Sequence, residues 1–241
     1  MATKKLKKFI ILSRSRTGSN LLKSYLNAHP NIQAKGEILG RLEGKSYQSI
    51  LNSAFTTQWP EVKSIGFKIF YYHPVDVKSP ELWKSLIKMH DLIILHLKRK
   101  NVLKTIISQK VAQQTGIWSS KKKLKTRKET QKIYFPPDEL YSKIKQTIYW
   151  QSSAEQWFEG HPFLNIYYED LISNPLNIYK QILNMFGLQY IEPKTDLKKQ
   201  NIESIKNLLM NYEELKDYFK DTQWKQYFCD NINCKTLNEF E

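Results

Sequence analysis

The apolar tetrad Phe9-Ile10-Ile11-Leu12 runs into eight polar residues, Ser13-Arg14-Ser15-Arg16-Thr17-Gly18-Ser19-Asn20, and Leu21-Leu22-Lys23-Ser24-Tyr25-Leu26 then resumes with helical spacing. A strand that ends in such a turn and restarts as a helix leaves backbone N–H groups unpaired at the positive end of the helix dipole. Those groups can cradle a phosphate. Arg14 and Arg16 add fixed positive charge, Thr17 and Ser19 add hydroxyl donors, and Gly18 lets the backbone approach a ligand closely. The turn is not the ATPase form of this device, because Gly-x-x-x-x-Gly-Lys-[Ser/Thr] is missing and Arg16 precedes Thr17-Gly18-Ser19.

The order Arg16-Thr17-Gly18-Ser19-Asn20 resembles the first loop of sulfotransferases that use 3'-phosphoadenosine 5'-phosphosulfate (PAPS). That loop reads basic, Ser/Thr, Gly, Ser/Thr, Ser/Thr after a strand, and Asn20 puts an amide where the family usually has a hydroxyl. The resemblance implies that Arg14, Arg16, Thr17, Gly18, Ser19 and Asn20 hold the 5'-phosphosulfate, with 3'-phosphoadenosine 5'-phosphate (PAP) as product. It also implies an Arg at the end of a later strand, and a Ser about two helical turns beyond it, that hold the 3'-phosphate. The run Leu92-Ile93-Ile94-Leu95-His96-Leu97 leads into Lys98-Arg99-Lys100-Asn101 and a helical stretch carrying Ser108. Arg99 and Ser108 take the two places, and Lys100 is the alternative to Arg99.

Sulfuryl transfer needs a base for the acceptor hydroxyl and positive donors for charge on the moving group, as phosphoryl transfer does. Glu37 follows the second expected strand, with Gly36 giving the backbone room to turn. This element resembles the Gly-Glu after the His-Pro segment (here His29-Pro30) in bacterial carbohydrate sulfotransferases, which make sulfated nodulation factors and trehalose glycolipid and use that Glu as base. His73 is the second candidate. Small-molecule sulfotransferases end their third strand in Lys-Thr-His, the Lys touching the sulfuryl group and the His acting as base. Lys68 stands for that Lys, and His73 lies three residues beyond the His position. Tyr168-Glu169-Asp170-Leu171, Asn174-Pro175 and Phe186-Gly187-Leu188 are similar to a late series in many sulfotransferases, read here as the last strand and its cover. Gln113 to Trp118 and Asn211 to Leu215 are similar to the nodulation-type branch, so the likeness runs from about residue 9 to about residue 228. The C-terminal Gly-x-x-Gly-x-x-Lys loop of phenol and steroid sulfotransferases is absent, and Lys198 and Lys199 are candidate fillers.

The elements that position these residues alternate. Strand-like runs cover residues 9–12, 32–35, 65–70, 92–97 and 164–168, and helix-like stretches cover 47–55, 80–89, 102–114, 137–158, 176–186 and 203–227. The pattern predicts an α/β, three-layer P-loop-like fold: a central, mostly parallel five-stranded sheet flanked by helices, with all the named loops at the strands' carboxyl ends. Trp150, Trp157 and Trp224 read as packing residues. The chain of 241 residues, without a Pro/Gly/Ser-rich linker, reads as a single domain, 1–241.

No run of about 18 apolar residues exists, and Met1 to Lys8 lacks a signal peptide's apolar segment, so a cytoplasmic protein with no membrane span is expected. Cys229 and Cys234 read as free thiols, and no Cys/His grouping has metal-ligand spacing; no metal is expected. Net charge is +15, and twelve Lys or Arg between Lys98 and Lys132 face the single acid Glu129. Such a field concentrates a polyanionic cosubstrate and can steer an acidic acceptor. Nucleic-acid binding would use the same charge, but zinc-finger and RNA-recognition signatures are missing, so no nucleic-acid partner is expected. A sugar or nucleoside kinase would need Mg²⁺ and the missing P-loop Lys. A sulfotransferase acting on a small molecule, glycan or glycolipid hydroxyl is therefore the expectation, with a kinase or a polyanion-binding protein as alternatives.

Overall fold

The computed structural model describes residues 6–116, 132–194 and 204–228. Residues 121–131 of the basic segment, Lys198, Lys199, Cys229 and Cys234 lie outside them. The chain groups into two compact units, residues 1–100 with 149–198, and residues 101–148 with 199–241.

In the first unit five strands, β1 (Lys7–Ser13), β2 (Ile32–Lys35), β3 (Ser64–Phe70), β4 (Ile93–Lys98) and β5 (Phe163–Tyr167), form one sheet in the order β2-β3-β1-β4-β5. Every pairing is parallel, so the sheet is wholly rather than mostly parallel. The reason lies in the strands: β1, β3 and β4 are largely apolar and buried on both faces, as strands covered by helices on both sides must be. On one face Phe9, Ile11, Leu95 and Leu97 pack against α1 (Ser19–Asn27), α6 (Tyr168–Ser173) and α7 (Pro175–Phe186). On the other, Ile10, Leu12, Phe67, Ile69 and Ile94 pack against α2 (Tyr47–Ala54), α3 (Pro80–Ile87) and the end of α5 (Pro137–Trp157). The chain leaves central β1 toward β2 and later crosses from β3 to β4. The loop after β1 therefore stands at the switch point, where open α/β sheets bind ligands.

The second unit holds α4 (Val102–Thr115), the first part of α5, α8 (Ile205–Leu208), α9 (Tyr212–Tyr218) and a 3₁₀ turn at Lys225–Phe228 around their own apolar cluster. The single helix expected over 203–227 is broken into these three pieces. Leu209 leaves the helix to bridge Ile133 in parallel, with Ile133 N donating to Leu208 O and Met210 N to Ile133 O, both at 2.8 Å. Those backbone groups cannot also serve a continuous helix. Residue 168, expected at the end of the last strand, instead opens α6, a helix too short to reveal a period.

Candidate active site

Seven residues of β1 end at Ser13, and the turn that follows is forced by two left-handed residues, Arg16 (φ 68°) and Gly18 (φ 92°). Gly18 is also the N-cap of α1; no side chain caps the first turn and no acidic residue stands in it. A first turn with a glycine cap and no acid of its own is the arrangement that receives an anion. Thr17 Oγ1 donates to Arg14 O at 2.7 Å and pins the turn from within.

Tyr168 covers the turn. A Cβ added to Gly18 would stand 2.4 Å from Tyr168 Cδ2, so the ring occupies the space that glycine leaves. Arg99 lays its guanidinium over the same ring, 4.4 Å from the centroid. Burial lowers the pKa of Arg99; the neighbouring Tyr168 and Glu169 raise it, and Arg16 lowers it further. Arg16 is likewise lowered by burial and raised by Tyr168. Arg99 thus rests on the ring that covers the cradle, and Arg16 is near enough to interact electrostatically with both Tyr168 and Arg99. Glu169 is the carboxylate nearest Arg99 Nε, at 3.9 Å, and Nε is buried without a hydrogen-bond partner. A buried guanidinium so weakly satisfied fits a phosphate ligand. Lys100, the alternative, is tied elsewhere: its Nζ pairs with Asp170 at 2.7 Å and its N–H bonds Glu169 at 3.0 Å. Ser108 lies half-buried on α4, in the second unit.

Lys68 ties the cradle to the first candidate base. Buried on β3, its ammonium donates to Asn20 Oδ1 at 2.6 Å and pairs with Glu37 Oε1 at 2.9 Å. An ammonium has three donors, so one remains for a ligand oxygen. Asn20, Lys68 and Glu37 come together, the Lys68 ammonium bridging the Asn20 amide and the Glu37 carboxylate. The Glu37 side chain keeps 40% exposure, so an acceptor can reach it.

His73 is buried, and its Nδ1 accepts a hydrogen bond from Phe70 N at 3.2 Å. That bond uses the lone pair of the neutral ring and puts the proton on Nε2. Burial pushes its pKa down to about 4; Glu37 raises it and Lys68 lowers it. Arg14 is buried on the other sheet face, where burial lowers it to about 10, against a rise from Tyr72 and Tyr71. It stays charged at neutral pH.

Two further histidines are held by hydrogen bonds within the first unit. His96 bonds Tyr71 and Asn165, and His161 reaches the carbonyls of Leu92 and Ile87. Trp224 is buried, Trp157 packs on Trp83, and Trp150 stacks on Tyr71. Tyr168, read from sequence as sheet cover, lies instead in the candidate site, against Gly18 and Arg99. The Tyr-Glu-Asp series was its only signal.

The family model described as Stf0 sulphotransferase matches residues 87–214, over half of the chain. Among curated proteins the chain is similar to Nodulation protein H of Rhizobium tropici, 26% identical over 91% of this chain and 92% of that protein. It is also similar to Nodulation protein H of Rhizobium meliloti (strain 1021), 23% identical over 91% and 94%. Among solved structures, a sulfotransferase from Alicyclobacillus acidocaldarius superposes with a TM-score of 0.56 at 16% identity, covering 92% of this chain and 94% of that one.

Proposed function

Since the chain belongs to the Stf0 sulphotransferase family and is a sulfotransferase, we propose that its donor is PAPS and its acceptor a carbohydrate or glycolipid hydroxyl. The observation that carries the donor assignment is the buried Arg99 guanidinium on the Tyr168 ring, which closes over Gly18 at the start of α1. The guanidinium and the helix start are two places for negative groups on one rim, as a nucleotide phosphorylated at both ends requires. The turn from Arg14 to Asn20 takes the 5'-phosphosulfate, Arg99 takes the 3'-phosphate, and Ser108 is assigned to the same phosphate on the sequence resemblance.

PAPS supplies the sulfuryl group and a phosphate that leaves. Glu37 receives the acceptor hydroxyl's proton as the new S–O bond forms and the bond to the leaving phosphate breaks. Lys68 holds Glu37 in place and offers its remaining N–H to a sulfuryl oxygen, where developing charge is greatest. Arg16 lies on the turn where the phosphosulfate charge gathers. We assign the base to Glu37 rather than His73 because the His73 lone pair is already taken by Phe70 N–H.

Thermal stabilisation by PAP, by ATP with Mg²⁺ and by an oligonucleotide, at low and high salt, tests the donor. Strong stabilisation by PAP alone is expected, and Arg16→Ala should lose most of it. A preference for ATP with Mg²⁺ would reject the donor assignment.

A further inference from the structure

A second group of polar side chains lies on the sheet face opposite Lys68 and Arg99. Leu12, Tyr71, His96 and Lys98 share that face by alternation along their strands, and α5 lies across it. Glu155 of α5 is held there by two contacts, both on Oε1: the Lys98 ammonium, and His96 Nδ1 at 3.6 Å. His96 Nδ1 also faces Asn165 Oδ1 at 3.0 Å, while Nε2 lies 2.7 Å from the Tyr71 hydroxyl. Oxygen acceptors on the Nδ1 side put the proton there, and Nε2 accepts from Tyr71. The arrangement fixes Oε1 and leaves Oε2 with no partner among the described residues, on a side chain 42% exposed.

Three buried groups, His96, Lys98 and Tyr71, thus serve one exposed carboxylate. An ion pair of this kind is a weak source of stability, because taking Lys98 and His96 out of water offsets the attraction. As a device for holding one oxygen in a fixed direction it is effective. His96 and Lys98, both beside Oε1, draw the carboxyl down to about 2, so it is a permanent acceptor and a poor base.

Its position points to the acceptor. The Tyr71 hydroxyl meets His96, the support of Glu155; the Tyr72 ring lies 5.5 Å from that of His73; and a Cβ added to Gly40 would touch both His73 and Glu37, so these contacts link the two carboxylates past the end of β3. Trp150 packs on both tyrosines, with ring centroids at 6.0 Å and 5.5 Å. The strands carrying Lys68 and Lys98, the partners of the two carboxylates, are separated by β1, about 10 Å across the sheet, and the two lysines leave opposite faces, so a ligand that touches both carboxylates must be longer than one sugar ring. A polyhydroxylic ligand can donate to both carboxylates and lie against the aromatic flank between them, while an anionic acceptor would be repelled from both ends.

We propose that Glu155 is an acceptor-binding residue, taking on Oε2 a hydrogen bond from a non-reacting hydroxyl of a carbohydrate whose reacting hydroxyl meets Glu37. The proposal rests on the carbohydrate reading above. The full chain is assayed with radiolabelled PAPS and three acceptors, trehalose, cellotetraose and chitotetraose. With whichever acceptor is labelled, Glu155→Gln and Glu155→Ala should raise the acceptor KM about tenfold or more, leaving kcat and the thermal shift with PAP little changed. One monodeoxy acceptor should lose about tenfold with the wild-type protein and nothing further with Glu155→Ala. An unchanged acceptor KM in a variant that still responds to PAP would overturn this inference alone. So would a wild-type protein indifferent to removal of every non-reacting hydroxyl, a result that does not depend on either variant folding. If PAP stabilises the protein but none of the three sugars is labelled, the carbohydrate reading falls and this inference with it.

Discussion

Gly18 carries two constraints at once, a φ of 92° that side chains rarely adopt and a ring of Tyr168 pressed into the space of its missing Cβ. Gly18→Ala should therefore cost about 1–3 kcal/mol, a melting temperature lower by roughly 5 °C, and should weaken PAP binding more than any other small substitution in the turn. Gly18→Ala combined with Tyr168→Ala relieves the clash but not the backbone strain, so only part of the loss should return. Full recovery would place the whole constraint on the ring. His73 makes a different kind of prediction. Its folded pKa of about 4 lies below the ordinary 6.5 because burial disfavours the charged ring, with Glu37 and Lys68 facing it and opposing one another. The unfolded chain binds the extra proton, so this stability is fully present above pH 6.5 and is lost as pH falls toward 4. Between pH 7 and pH 5 denaturant unfolding should lose about 2 kcal/mol that His73→Gln does not lose. Equal losses in the two proteins would show that His73 is not the titrating group; His96, lowered by burial in the same direction, would then be examined.

Helix α4 begins at Asn101, whose Oδ1 accepts from Lys104 N at 3.2 Å while its Nδ2 donates to Tyr227 O at 2.8 Å. One side chain caps the helix that carries Ser108 and fastens the end of the second unit's described chain to it. Asn101→Ala should cost about 1–2 kcal/mol by equilibrium unfolding, and Asn101→Asp, which keeps the cap oxygen, less. Equal losses would assign the stability to the Tyr227 contact alone. Most elements can be read from the chain itself: the strand runs at 9–12, 65–70 and 92–97 are largely apolar without alternation, and that pattern has few structural meanings. Elements whose form depends on distant partners cannot. Asn211 bonds both Phe135 N and Phe135 O, a substitute for strand pairing that helps stop the helix expected over 203–227, and nothing near residue 211 announces Phe135. The candidate site divides in the same way. The turn from Arg14 to Asn20, Lys68 and Glu37 were legible because their chemistry is local to strand ends. Tyr168 was not, because its meaning is the absent side chain of a glycine 150 residues earlier.

At the scale of the molecule the dominant property is charge. A net +15 on 241 residues, with eleven of those charges gathered between residues 98 and 132, surrounds the protein with a field that attracts a polyanionic nucleotide before any contact forms. Short-range contacts to a bound anion and long-range attraction of an approaching one both weaken with salt, but they act on different rates. On the proposed donor assignment, contacts in the turn and at Arg99 govern how fast PAP leaves. Diffuse charge governs how fast it arrives, and is screened beyond about 10 Å at 0.1 M ionic strength. Replacing Lys121, Lys122, Lys123 and Lys125 by Gln removes charge without touching the turn, Lys68 or Arg99. Measured by stopped-flow, the association rate of PAP should fall about tenfold from low to high salt in the wild type, and the four-fold variant should start severalfold slower with a flatter slope. Its dissociation rate should match that of the wild type. If the variant instead releases PAP faster while binding at the same rate, those lysines touch the nucleotide, and the long-range account of the charge fails.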